Sequence, residues 1–314
     1  MSLVDSLLGA TGEIVGSEEL IKYAEARKLM NFLNVTRDAM KKLGVEDRFE
    51  RFPQIDWDES VVDAEMAWKE RKKQGVRFEA VAVIPYVNNY PSGEILSSTE
   101  LFLGLRPSQV PRKDENGKLF MHTVKPEEGA NQYVPHWMGG VDAEDFEAIK
   151  SAQRRTGTKL GFKEVLFHQT LIREFAEEVD PEANDWNGHL LSYVSEILFF
   201  PPYLDRSTQV LVHPFAMPLN PFSTTTDLLG YDYSGIDIAE IYKQKWLELL
   251  KKTQQDPSVE FDVDLKRSGF TPLLKIGRDV RSHPDRYFPG LLNIFQMLVT
   301  HRETHRRQLM KDLS

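Results

Sequence analysis

The chain reads as α+β, with helical segments at both ends and a central, mainly antiparallel sheet. Three observations point there. Apolar residues recur three and four apart before residue 76, strand-like runs bounded by turn residues follow, and the helical period returns after residue 235. No regular strand–helix–strand rhythm appears, which argues against a doubly wound parallel sheet. On this reading residues 1–76 form a helical N-terminal segment, 77–235 a β-rich central region, and 236–314 a helical region with a basic end.

Each element has a local reason. Ser17 followed by Glu18 and Glu19 suits the positive end of a helix dipole. Leu29, Leu33, Thr36, Met40 and Leu43 continue the stripe, with Asn34–Thr36 its weakest point, and Lys41, Lys42 and Gly44 stop it. Asp56 and Glu59 have capping-box spacing ahead of Trp57, Val61, Ala64 and Trp68, whose period places the two indoles in a core. Phe78–Ile84 is apolar on both parities, as a strand buried on both faces must be, and Pro85 is expected to end it.

Pro91-Ser92-Gly93 reads as a turn, and Leu101, Leu103 and Leu105 share one face of the next strand. Asn116-Gly117 is the strongest hairpin signal, since both residues tolerate positive φ. Lys125–Gly140 is expected to be irregular. Helices follow at Asp142–Gln153 and Phe162–Val179, the latter closed by Asp180-Pro181. Leu190–Phe200 fits helix and strand equally, and Thr208–His213 is a strand by composition. Ser234 and Asp237 open a helix to about Lys252, Val259–Leu265 alternates as a strand, and Thr271-Pro272 looks like a helix start. A last helix runs from about Pro289 to Leu313.

Composition excludes several functions. The 314 residues include 18 Phe, 10 Tyr and 5 Trp, enough apolar material for a large core. Mean hydropathy is −0.42, and no apolar run is long enough to span a membrane. The first residues lack a basic flank and a long apolar run, so no secretory signal is expected and a cytoplasmic address is the default. The absence of cysteine excludes disulfides, thiolate catalysis and iron–sulfur clusters. No cofactor is expected.

Charge is unevenly placed. The net charge is −9, yet Leu265–Ser314 holds ten basic and four acidic residues, a net of +6 against −15 for what precedes it. Arg278, Arg281, Arg302, Arg306 and Arg307 are the candidate contact residues of this basic segment. They suit a solvated face, the acidic body of another copy or subunit, or a nucleic-acid backbone. Arg302 and Arg306, four apart on a helix, share a side.

Metal-binding patterns are sparse. His301 and His305 share a helix side, but Arg302 stands where a zincin has glutamate. Glu260, Asp262 and Asp264 on one strand face offer oxygen ligands for a hard cation, and equally discourage edge pairing. His168 has Val165, not glutamate, three residues before it, so the di-iron spacing is missing. Phe200-Pro201-Pro202-Tyr203 resembles the (Asp/Asn)-Pro-Pro-Tyr motif of amino-group DNA methyltransferases, but Phe200 cannot accept a hydrogen bond from an amine.

Two Pro-aromatic segments remain, Leu198–Leu204 and His213–Phe222. Their anchors are Phe199, Phe200, Tyr203, Phe215 and Phe222, which fit either a loop on the chain's own core or arms laid on a neighbouring subunit. Together these features lead to the expectation of a non-enzymatic assembly protein, for instance a phage or viral particle component, that contacts itself or another subunit. The alternatives are a metal-dependent enzyme built on the carboxylates and histidines, and a single-stranded nucleic-acid binder.

Overall fold

The computed structural model describes residues 17–53, 55–88, 99–135, 137–166, 198–218, 238–255, 263–264 and 266–312. Helices flank a mixed sheet at both ends of the chain, an α+β architecture. The turn expected at Pro91-Ser92-Gly93, the helix end at Asp180-Pro181 and the cap at Ser234 and Asp237 lie outside the described residues.

Helix α1 (Ser17–Lys42) runs unbroken through Asn34–Thr36, because the Thr36 hydroxyl donates back to the Leu33 carbonyl at 2.9 Å. It ends where Gly44 turns left-handed (φ 64°) and the Val45 N–H donates to the Met40 carbonyl. Strand β1 (Phe49–Arg51) follows. Helix α2 (Val61–Lys73) starts later than its apolar period implied. Ser60 accepts from the Asp63 N–H, and Asp56 instead turns the chain by accepting from Asp58 N–H. Trp57 therefore stands before the helix, while Trp68 lies 5.2 Å from Phe146 of helix α3 (Ala143–Thr156).

The centre of the sheet is a long parallel pair. Strand β2 (Phe78–Asn88) lies beside β10 (Val210–Pro218), in register from Phe78↔Val210 to Tyr86↔Pro218. Pro85 was expected to end the first strand, and His213–Phe222 to be a loop or an arm rather than a strand. Both expectations fail for the same reason. On its outer edge β2 pairs β7 (Trp137–Gly140) through Val83 and then β3 (Thr99–Arg106) from Tyr86, leaving Ile84 and Pro85 between partners. Likewise β10 pairs β9 (Tyr203–Asp205) through Val212 and β8 (Leu198–Phe199) from Phe215, leaving His213 and Pro214 between them. A residue without an N–H is tolerated where no ladder partner asks for one.

Outward from this pair the order is β1-β9-β10-β2-β3-β11, where β11 is Gly269–Pro272, and β6 (Gln132–Val134) adds to β3. The stretch from Lys125 to Gly140 is thus not irregular: it supplies β6 and β7 as second partners for the long strands. Leu101, Leu103 and Leu105 are buried, but so is Phe102 on the opposite parity, so β3 has no free face there. Residues 263–264 are not strand. Asp264 instead closes a turn, its N–H donating to the Leu105 carbonyl at 2.6 Å and its Oδ1 accepting from Lys266 N–H at 3.0 Å.

Helix α4 (Ile238–Gln255), α5 (Leu273–Ser282) and α6 (Pro289–Asp312) complete the chain. Thr271-Pro272 ends β11 rather than capping α5 through a side chain. Helices α1, α5 and α6 pack together through Phe32 and Phe295, ring centroids 5.8 Å apart. Gly277 makes room for this, since a Cβ there would lie 2.9 Å from the Phe32 ring. Buried residues from the N-terminal helices, the sheet and the C-terminal helices join one apolar cluster.

Candidate functional site

The hairpin signal is real, and it builds the most unusual surface among the described residues. Strands β4 (Gln109–Lys113) and β5 (Leu119–Thr123) pair antiparallel from Gln109↔Thr123 to Lys113↔Leu119, forming a two-stranded ribbon separate from the main sheet. Only Gly117 of the turn takes positive φ (75°), not Asn116. Asp114 organises the loop, its Oδ1 accepting from Asn116 N–H at 2.9 Å and Lys118 N–H at 2.8 Å, while its carbonyl accepts from Gly117 N–H. Val110 and Val124 are buried and anchor the base. Beyond them β5 is exposed along its whole length, with Leu119 38%, Phe120 46% and Met121 54% exposed.

Such a strand breaks the usual pattern. Neighbouring residues of a strand point to opposite faces, so Leu119 and Met121 place apolar surface on one side and Phe120 on the other. A three-residue apolar run in an exposed strand is normal only where something covers it. The sequence carried this signal as Leu119-Phe120-Met121, one residue after Asn116-Gly117, a run with no polar alternation.

The aromatic anchors behave otherwise. Phe200, Tyr203 and Phe215 are buried in the chain's own core, so the reading of these segments as arms on a neighbour fails for all three. Pro201 and Pro202 merely carry the chain from β8 to β9, and the Phe52 N–H donates to the Pro202 carbonyl. Phe199 is half-buried, packed edge-on to Phe215 at 5.0 Å and against Trp57 at 5.3 Å. Phe222 lies outside the described residues.

The metal reading gains no geometry. Glu260, Asp262 and His168 lie outside the described residues, and Asp264 is committed to its turn. His301, His305, Arg302, Arg306 and Arg307 lie within α6, which carries them in one helix. Among the described residues no group of three or more histidines, aspartates or glutamates is arranged to hold a metal ion.

One charged cluster went unread in the sequence. Glu79 on β2 and His213 on β10 are fully buried, and Arg71 of α2 reaches them from the side. Arg71 Nε and Nη2 donate to Glu79 Oε1 and Oε2 at 2.6 and 3.2 Å, and His213 Nε2 lies 2.9 Å from Oε2. Burial pushes the Glu79 carboxyl up, but the hydrogen bonds and charges of His213 and Arg71 outweigh it and hold the group below its ordinary range. Trp57 and Phe162 meet the imidazole edge-on at 5.8 and 5.6 Å, closing it from water. The cluster was hidden because its three members are separated by 8 and 134 residues, Glu79 and His213 lying in apolar runs and Arg71 among the charged residues that end its helix.

The basic C-terminal region divides around α5. Arg281 donates to Asn31 Oδ1 at 3.1 Å on the α1 side. Lys275 and Arg278, one turn apart, line an open cleft of about 470 Å³ on another side, together with Arg286. There Asp279 accepts from the Tyr287 hydroxyl at 2.9 Å and pairs with Arg286 at 3.3 Å. Burial, followed by the Asp279 charge, holds the Tyr287 hydroxyl above the usual phenol range, so it stays a donor. No protein family, no curated protein and no solved structure matches this chain.

Proposed function

We propose that this chain is a non-enzymatic building block of an oligomeric assembly, and that the β4–β5 ribbon is the element that engages a second copy. The observation carrying this reading is β5, exposed at every position, with Leu119, Phe120 and Met121 in sequence on a two-stranded ribbon that pairs with no other described strand. A lone hairpin is marginal in water, and an uncovered strand edge invites pairing, so a ribbon of this composition is best stabilised by a neighbour. The second copy is favoured as that neighbour by charge: each molecule carries a region of +6 and a remainder of −15, which attract across a heterologous contact.

Light scattering over protein concentration and ionic strength tests the proposal. The wild-type mass should rise with concentration, and the double variant Phe120→Glu/Met121→Lys should stay monomeric with unchanged circular dichroism. Salt then separates the contributions, since charge contacts weaken with ionic strength while the apolar ribbon contact does not. A wild-type chain that is monomeric under every condition, or a variant that assembles equally well, overturns the reading.

A further inference from the structure

The cleft beside α5 has more positive charge than the protein around it neutralises. Its charged lining is Lys275, Arg278, Arg286 and Asp279, a net of +2 with His283 counted as neutral. Asp279 is already engaged by Arg286, His283 Nδ1 and the Tyr287 hydroxyl. The Lys275 and Arg278 side chains make no hydrogen bond or ion pair among the described residues, Arg278 accepting only through its carbonyl from the Ser282 hydroxyl. Both are exposed and line the same concave surface, where a bound anion would pair with the two of them.

The rest of the lining narrows the anion. Arg278 offers a planar fork of N–H donors and Lys275 a compact charge, the combination that suits phosphate oxygens. Thr271 adds a hydroxyl at the end of β11. Beside them Tyr133 and Tyr287 lie with ring centroids 5.3 Å apart, Tyr287 buried and Tyr133 half-exposed, so Tyr133 is the aromatic ring of the lining that a ligand can reach. The volume of about 470 Å³ falls within the range of small-molecule sites.

We infer that this cleft binds a phosphate monoester, the dianionic phosphate held by Lys275, Arg278 and Arg286 and the planar organic group resting on Tyr133. The site is independent of the β5 ribbon, so either proposal can fail without the other.

Isothermal titration of the full chain with adenosine monophosphate, inorganic phosphate and adenosine is the test. Adenosine monophosphate should bind at least about tenfold more tightly than either fragment, since it alone uses both walls. Lys275→Ala and Arg278→Ala should each weaken it by about tenfold, as loss of a charge-assisted contact does. Arg281→Ala, directed to Asn31 instead, should leave binding unchanged, and so should Phe120→Glu. No heat with either phosphate at millimolar concentration, or binding by the Lys275→Ala and Arg278→Ala variants as tight as that of the wild type, overturns the site. Inorganic phosphate binding as tightly as the nucleotide overturns the role of Tyr133.

Discussion

Two strand pairs in this chain make opposite use of apolar side chains. In β2–β10 the residues Ala80–Ile84 and Leu211–Met217 are buried, and a charged cluster is sealed among them. In β4–β5 the pairing is just as regular, yet β5 leaves between a third and a little over half of Leu119, Phe120 and Met121 exposed. Apolar content alone therefore does not mark a core strand. What separates the two is cover: β2 has β3, β7 and β10 as partners, whereas β5 has only β4 among the described strands. The central pair is completed within the chain, whereas the proposed assembly would complete the ribbon from outside.

The largest effect should come from breaking the cover at the centre. Glu79→Ala strands the Arg71 guanidinium and the His213 imidazole in a closed apolar site, so unfolding free energy should fall by about 3–5 kcal/mol. Denaturant titration reads it directly. Phe120→Ala, a larger truncation, should lower monomer stability by only about 1–1.5 kcal/mol, because close to half of its surface is already in water. Equal losses at the two positions would erase the distinction between them.

A pH series sharpens the same contrast. The folded Glu79 carboxyl sits below its ordinary pKa of 4.5. A depressed carboxyl contributes stability that is fully present above the unfolded pKa and is lost as pH falls through the folded one. Wild-type stability should therefore drop below about pH 4.5, and Glu79→Gln should flatten that limb while lowering stability at neutral pH. A Gln variant with the same acid limb as wild type would show that other carboxylates set it.

How far these features were legible follows from the range of the interactions that make them. The strand over Phe78–Ile84, buried from Glu79 onward although Phe78 itself is exposed, the helix beginning near Asp142 and the Asn116-Gly117 hairpin rest on neighbours in sequence, and local pattern found them. The course of β2 past Pro85 depends on where β7 stops and β3 begins, which no local pattern contains. For the same reason His213-Pro214-Phe215 looked like an arm and proved to be the central strand. The Arg71–Glu79–His213 cluster requires a contact across 134 residues, and neither glutamate nor arginine announces burial by itself. The basic region was visible as charge, but its division between the cleft and the α1 side depends on which face of α5 each residue occupies.

The smallest global effect, and the finest test of the contrast, lies at the ribbon turn. Asp114 accepts from two backbone N–H groups, so Asp114→Ala removes the side chain that holds the loop. If the ribbon is a local unit attached at Val110 and Val124, this loss should stay within it. Global stability should move by about 1 kcal/mol at most, comparable to losing a helix cap. Amide exchange, by contrast, should accelerate selectively across the β4–β5 ladder and leave β2 and β10 as protected as before. In the assembled state, exchange in β5 should slow, because a neighbouring copy would complete the hydrogen bonding of its free edge. Protection of β5 that is the same at low and high protein concentration would mean that the edge stays open to water, whatever the chain's mass in solution.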